Sequence, residues 1–339
     1  MNTRRSGPLS RGTLSLLACA LTAAMPGRAQ AFVRTVGPPA PSSSSTCEGG
    51  AIYTYWVARN LTWTFFEDPQ NPLIEGDVAW SDALAAVTLG AQAWQGVGCT
   101  DLTFQYQGTT SNFTVGYDRT SCQNTNSVIF RANSCSDTTI VPAGSSCLAD
   151  GTCGLTYNCW DYAAGIDGTI ALTGLTYDAV TGEILDSDME FDATSTGTGE
   201  FLHRFTVGTG PTCTSATSTT ESGCVATDIQ NVATHEFGHF IGLGHTTVAD
   251  STMNASTVPG ELSKRTLGAD DQAGVCNIYP KGAQANWCIP PNPTSEPLTC
   301  QPASKSGGCS SGGDEAGALA LLVLGWVGAV RRRRGQPTI

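Results

Sequence analysis

The chain has 339 residues, with 17 basic and 29 acidic side chains and a formal net charge of −12. Four of the basic residues cluster at positions 331–334, so the body is more acidic still and offers no basic stripe for nucleic acid. The 14 cysteines are too many for a reducing cytosol and point to an exported, disulfide-bonded protein. From the N-terminus, Arg4, Arg5 and Arg11 precede an apolar run at 14–25, and Ala29-Gln30-Ala31 supplies small residues for cleavage. Residues 1–31 therefore read as a secretory signal peptide cut after Ala31. Lipoprotein processing at Cys19 ranks second, because apolar sequence continues past it. Residues 32–46 read as a flexible linker, Pro/Ser-rich from Gly37, and residues 47–288 as one folded domain, long enough for a good core.

Within that domain residues 61–66 alternate as a strand does. Residues 78–97 have helical periodicity, with Ala79, Ala83, Ala86, Ala93 and Trp94 available to pack on a sheet. Residues 102–106 and 127–131 read as further strands, and 170–177 with 183–191 as a strand pair joined through 178–182. Cys122, Cys135, Cys147, Cys153 and Cys159 crowd one loop-rich region, and Cys213 and Cys224 bracket a Thr/Ser-rich loop. No histidine or paired C-x-x-C accompanies that crowd, so disulfides are expected there rather than a zinc knuckle, with the pairing open. A helix is expected from Thr227, whose side chain with Gln230 makes a capping box.

The most informative stretch is H-E-F-G-H-F-I-G-L-G-H at 235–245. On a helix, positions four apart share a face, so His235 and His239 present two imidazoles to one metal. Glu236 can reach a water in the open coordination position, where a general base is needed. Gly242 lets the chain leave the helix and swing His245 back as third ligand. Three nitrogens plus water is the pattern of a catalytic zinc, whereas a structural site is closed by a fourth side chain. Three of the chain's four histidines lie in this motif; the other is His203.

These residues resemble the metzincin metallopeptidases, and within them the matrixin-like group. Met253, eight residues past His245 in S-T-M-N-A, matches the methionine of the family's Met-turn beneath the zinc site. Where the family often has Tyr-Pro after it, this chain has Asn254 and Ala255, which gives no support for a tyrosine ligand in the transition state. L-G-A-D-D-Q-A-G-V-C-N-I-Y at 267–279 resembles the family's C-terminal helix, with Asp270 and Asp271 in the first turn, where they also complement the helix dipole. The resemblance runs from about residue 52 to 279 and is strongest from Asp228 on. It implies an α+β, metzincin-like fold: a twisted, mostly parallel sheet with an antiparallel edge strand, an active-site helix, and a C-terminal helix below the Met-turn. It also implies that 170–176 is the edge to which an extended substrate adds as a strand.

Asp186, Asp188 and Asp192, with Glu190, are candidate calcium ligands, since clustered hard oxygens suit that ion and many matrixins carry calcium there; the bland reading is a polar face of an edge strand. Beyond the domain, 289–307 is a Pro/Ser/Gly-rich linker, and 308–335 reads as a sorting or membrane segment. In it Gly308-Cys309-Ser310 precedes an apolar run at 316–330 and the arginine cluster. The run is short for the roughly 20 residues a spanning helix needs. The order resembles the sorting tail of myxobacterial surface proteins, in which the cysteine, here Cys309, marks the processing point; a plain anchor is the competing reading. The expected function is a secreted or surface-anchored zinc endopeptidase acting on extracellular proteins or peptides, with export and sorting machinery and the membrane as further partners. A catalytically weak adhesion module on the same fold is the alternative.

Overall fold

Short apolar runs pair into a five-stranded sheet. The computed structural model describes residues 32–37, 52–69, 73–74, 78–118, 124–161, 169–194, 203–215 and 221–287. The expected signal peptide, the 289–307 linker and the tail with Cys309 lie outside these residues. In chain order the strands are β1 (Val33–Arg34), β2 (Asn60–Phe66), β3 (Leu73–Ile74) and β4 (Val78–Ala79), followed by helix α1 (Trp80–Gln95). Next come β5 (Thr103–Thr110), β6 (Ser127–Arg131), short helices α2 (Ser146–Asp150) and α3 (Cys153–Thr156), β7 (Ala171–Tyr177) and β8 (Ile184–Asp192). The last elements are β9 (Phe205–Thr206), β10 (Thr227–Asp228), α4 (Ile229–Phe240), β11 (Leu243–Gly244) and α5 (Ala269–Ile278).

The central sheet runs β5-β2-β6-β8-β7. Its pairs are parallel except β7 with β8, so the antiparallel strand is at the edge, as expected. Asp178 Oδ1 accepts from the amides of Val180 and Thr181, both at 2.8 Å, which fixes the turn between these two strands. Parallel strands buried on both faces read as near-continuous apolar runs, and all five residues of β6, Ser-Val-Ile-Phe-Arg, are buried.

Helices α1 and α4 cover one face of the sheet. Trp80, Ala83, Ala86, Val87, Gly90, Ala91 and Trp94 form the buried stripe of α1, the spacing of a one-sided helix. No side chain caps its N-terminus, so packing carries it. The indole of Trp94 donates to the Thr234 carbonyl at 2.7 Å, tying α1 to the middle of α4. Trp63, Phe65, Phe130, Phe191 and Phe237 lie in the same core. On the other face a smaller cluster of Phe66, Val115 and Ile129 packs with Phe113 and Leu155.

The cysteine-rich loops are closed by disulfides Cys135–Cys159 and Cys147–Cys153, while Cys213–Cys224 closes the Thr/Ser-rich loop. Cys99–Cys276 joins the loop after α1 to α5. Arg131 fastens the cysteine-rich loops to the sheet. It is fully buried, its Nε donates to Glu190 at 2.6 Å, and its other nitrogens reach the carbonyls of Phe113 and Gly154 at 3.0 and 2.8 Å. A buried guanidinium is tolerated because almost every donor has an acceptor.

Two expectations are corrected. The cap of α4 is Asp228, whose Oδ1 accepts from Asn231 N at 2.7 Å. Thr227 lies one residue before the cap, in the short parallel pairing with Phe205. The start of the folded domain also shifts. Val33 and Arg34, expected in a linker, pair antiparallel with Gly244 and Leu243, Thr35 N donates to Gly242 O at 2.8 Å, and Val36 bridges Tyr53.

Replacing Arg131 by Met should lower unfolding free energy by about 3–5 kcal/mol, because Glu190 then stays buried without its guanidinium. Arg131→Met with Glu190→Gln should recover part of that loss in urea melts; equal stability of Arg131→Met and the parent would contradict the clamp.

Candidate metal centre

Helix α4 places His235 and His239 one turn apart on one face. The chain turns away from the helix at Gly242, whose φ of 88° is left-handed, and where a Cβ would lie 2.7 Å from the Thr54 carbonyl oxygen. No other residue leaves the helix here without strain and collision. The chain then runs through β11, held by β1, and delivers His245. The three Nε2 atoms converge: His235 to His245 is 3.1 Å, His239 to His235 3.2 Å and His239 to His245 3.0 Å.

The opposite ring nitrogens explain why. His235 Nδ1 lies 2.6 Å from the Thr252 carbonyl oxygen and His239 Nδ1 2.8 Å from that of Leu243. A carbonyl only accepts, so both rings carry their proton on Nδ1 and aim the Nε2 lone pair inward. Lone pairs do not gather without a cation to share. Burial drives His235 well below the usual histidine pKa, and lowers His239 to about 3 and His245 to about 4. Neutral imidazoles are what a metal needs. Zn–N bonds of about 2.0–2.1 Å in a tetrahedron put nitrogens roughly 3.3 Å apart, close to the separations found. The residues fit zinc. Among the described residues, Cys213, Glu221 and Cys224 also gather their donor atoms, but the two cysteines are joined in a disulfide.

Glu236 lies beside this triad, 5% exposed, and burial pushes its carboxyl up to about 7. Its Oε2 accepts from the Thr173 hydroxyl at 2.6 Å. Met253, 2% exposed, packs under the helix: a Cβ on Gly238 would sit 2.1 Å from its Sδ, so the glycine of H-E-F-G-H admits the methionine. The turn carrying Thr252 and Met253 is braced by Asp271 of α5. That carboxylate accepts from Thr252 N at 2.7 Å, Met253 N at 3.1 Å and Gly268 N at 2.8 Å, and from the Ser251 hydroxyl. Asp271 therefore holds the carbonyl that orients His235, a role its first-turn position alone does not reveal.

The aspartates of β8 separate into different environments. Asp188 accepts from Ser127 N at 2.8 Å and Gly116 N at 2.6 Å. Asp186, 1% exposed, lies beside it with Oδ1 unpartnered. Burial raises both carboxyls, Asp186 to about 6. Asp192 does not join them: its Oδ1 accepts from the Thr194 hydroxyl at 2.7 Å, and six residues of extended strand span about 20 Å. Glu190 is turned to Arg131. The expected three-aspartate cluster is thus a pair.

Residues 163–280 match the Matrixin (Peptidase M10) family model. The segment is matrixin-like. It covers β7 to α5 and includes all three histidines, Glu236 and Met253. Metalloendoproteinase 2-MMP of Arabidopsis thaliana is 35% identical over 109 residues, 31% of this chain and 27% of that protein. Metalloendoproteinase 4-MMP of the same plant is 39% identical over 69 residues, 20% of this chain and 19% of its own length. Human matrix metalloproteinase-25 is 38% identical over 66 residues, 19% of this chain and 12% of that protein. The matches thus span no more than about a quarter of these relatives. They support a matrixin-like metzincin, and with it a zinc metalloendopeptidase.

Proposed function

We propose that the chain is an exported zinc endopeptidase that hydrolyses protein or peptide substrates. The observation that carries this reading is the convergence of three neutral imidazoles beside a buried carboxylate. His235, His239 and His245 would hold the metal, leaving a position open, since among the described residues no fourth side chain joins the group. Zinc bound there would supply Lewis acidity toward a water and a substrate carbonyl oxygen. Glu236 acts as general base, taking the proton of the attacking water and returning it to the leaving nitrogen. Strand β7 has no strand partner on its outer edge among the described residues, and an extended peptide adds there through main-chain hydrogen bonds. In this account Met253 fills the role of the Met-turn methionine, a firm floor that keeps the first two histidines in register.

Display at the cell surface through processing near Cys309 rests on the order of linker, cysteine, apolar run and arginines; among the described residues no helix is long and apolar enough to cross a membrane, and the tail lies outside them. A calcium ion at Asp186 and Asp188 is supported by the unpartnered Oδ1 of Asp186, since two adjacent buried carboxylates need a shared proton or a cation.

In Glu236→Ala about one zinc should still bind while turnover falls by about 10²-fold or more, and a chelator should abolish parental activity until zinc is restored. Parent-like turnover in Glu236→Ala would sink the mechanism, and a zinc-loaded chain that binds proteins but cleaves none would favour the adhesion module. Cell fractionation of Cys309→Ala should show loss of surface display; unchanged processing would leave an ordinary anchor. For the aspartate pair the sign follows from the raised pKa. The fold keeps a proton that the unfolded chain releases near pH 4, so this stabilisation is present at low pH and lost as pH rises through about 6. Calcium should therefore raise the Tm more at pH 7.5 than at pH 5, and should not do so in Asp186→Asn. No calcium shift in the parent would leave a shared proton alone.

A further inference from the structure

Thr173 stands where an apolar side chain would be expected. On β7, residues 173, 175 and 177 share one face; Leu175 and Tyr177 belong to the main core, and Thr173 is only 6% exposed. Its hydroxyl lies 2.6 Å from Glu236 Oε2 and 3.3 Å from the Glu236 carbonyl oxygen. A hydroxyl has one proton, and the shorter contact, to a carboxylate, takes it. The bond joins strand to helix across 63 positions of sequence.

We infer that Thr173 is a positioning residue for Glu236. It occupies one carboxylate oxygen and fixes the side-chain torsions, so that the other oxygen is presented to the water whose proton Glu236 takes. A glutamate side chain has three rotatable bonds and, unheld, samples rotamers in which neither oxygen faces the reacting water. Small misplacement of a catalytic group costs as much as about 10²-fold in rate. Because Thr173 belongs to the edge strand proposed to receive the peptide, the same strand would align the substrate backbone and set the base. The inference rests on the peptidase reading and adds to it a residue outside the zinc motif.

The test uses the full zinc-loaded chain as parent, Thr173→Val, Thr173→Ser and Glu236→Ala. Valine keeps the branched shape and removes the donor, whereas serine keeps the donor. Thr173→Val should retain zinc, show a kcat lowered about ten- to a hundredfold and hold KM within about twofold; Thr173→Ser should recover most of the kcat. A readout independent of turnover is the infrared carboxylate band of Glu236, isolated by subtracting the spectrum of Glu236→Gln. It should shift in Thr173→Val and return in Thr173→Ser, with and without zinc. An unchanged band, or a parental kcat in Thr173→Val, overturns the positioning role while leaving the peptidase reading intact. Parent turnover no higher than that of Glu236→Ala overturns the peptidase reading and the positioning role with it.

Discussion

Three imidazole nitrogens held about 3 Å apart in a buried site are a costly arrangement, and much of the surrounding structure serves to impose it. Lone pairs repel at that distance, and a protonated ring would repel its neighbours more strongly still. The fold resolves this by fixing Nδ1 protons on backbone carbonyls, those of Thr252 and Leu243, so that the inward nitrogens are ready for a cation and unable to turn away. A ligand's outer hydrogen bond sets both its tautomer and its direction. Here both outer acceptors are main-chain atoms, and their placement is a property of the fold rather than of one side chain.

Each carbonyl has its own support. Leu243 lies in β11, whose only strand partner among the described residues is β1, so a two-residue N-terminal strand holds the path from His239 to His245. Thr252 lies in the turn braced by Asp271, which accepts three amides and one hydroxyl at the start of α5. The C-terminal helix thereby acts on the first histidine through one carboxylate and one peptide carbonyl. Met253 fills the space beneath α4 that Gly238 leaves open. The centre is thus supported from the N-terminal strand, the turn and the last helix, all distant in sequence from β7.

How much of this was legible depended on the range over which each signal acts. The zinc motif was readable because helix periodicity places His235, Glu236 and His239 within two turns, and Gly242 marks the exit. The alternating strand pair and the helix at 78–97 were readable for the same local reason. Thr and Gln three apart fit a capping box at Thr227; Asp228 fits the same position one residue on, and the hydrogen bond from Asn231 N to its carboxylate decides between them. Val33 and Arg34 look like linker because a two-residue strand has no pattern of its own. Asp186, Asp188 and Asp192 share a strand face, yet distance along the strand separates the last from the first two. Thr173 left only a faint mark, one polar residue on an apolar strand face. Its partner lies 63 residues away, and no local rule joins them.

The most direct measurement is the zinc K-edge absorption spectrum of the zinc-loaded Glu236→Ala chain, which avoids self-cleavage while keeping every proposed ligand. The account predicts three imidazole nitrogens at about 2.0–2.1 Å with one further light atom and no sulfur. A first shell with fewer than three imidazoles, or with a cysteine sulfur at about 2.3 Å, would contradict it.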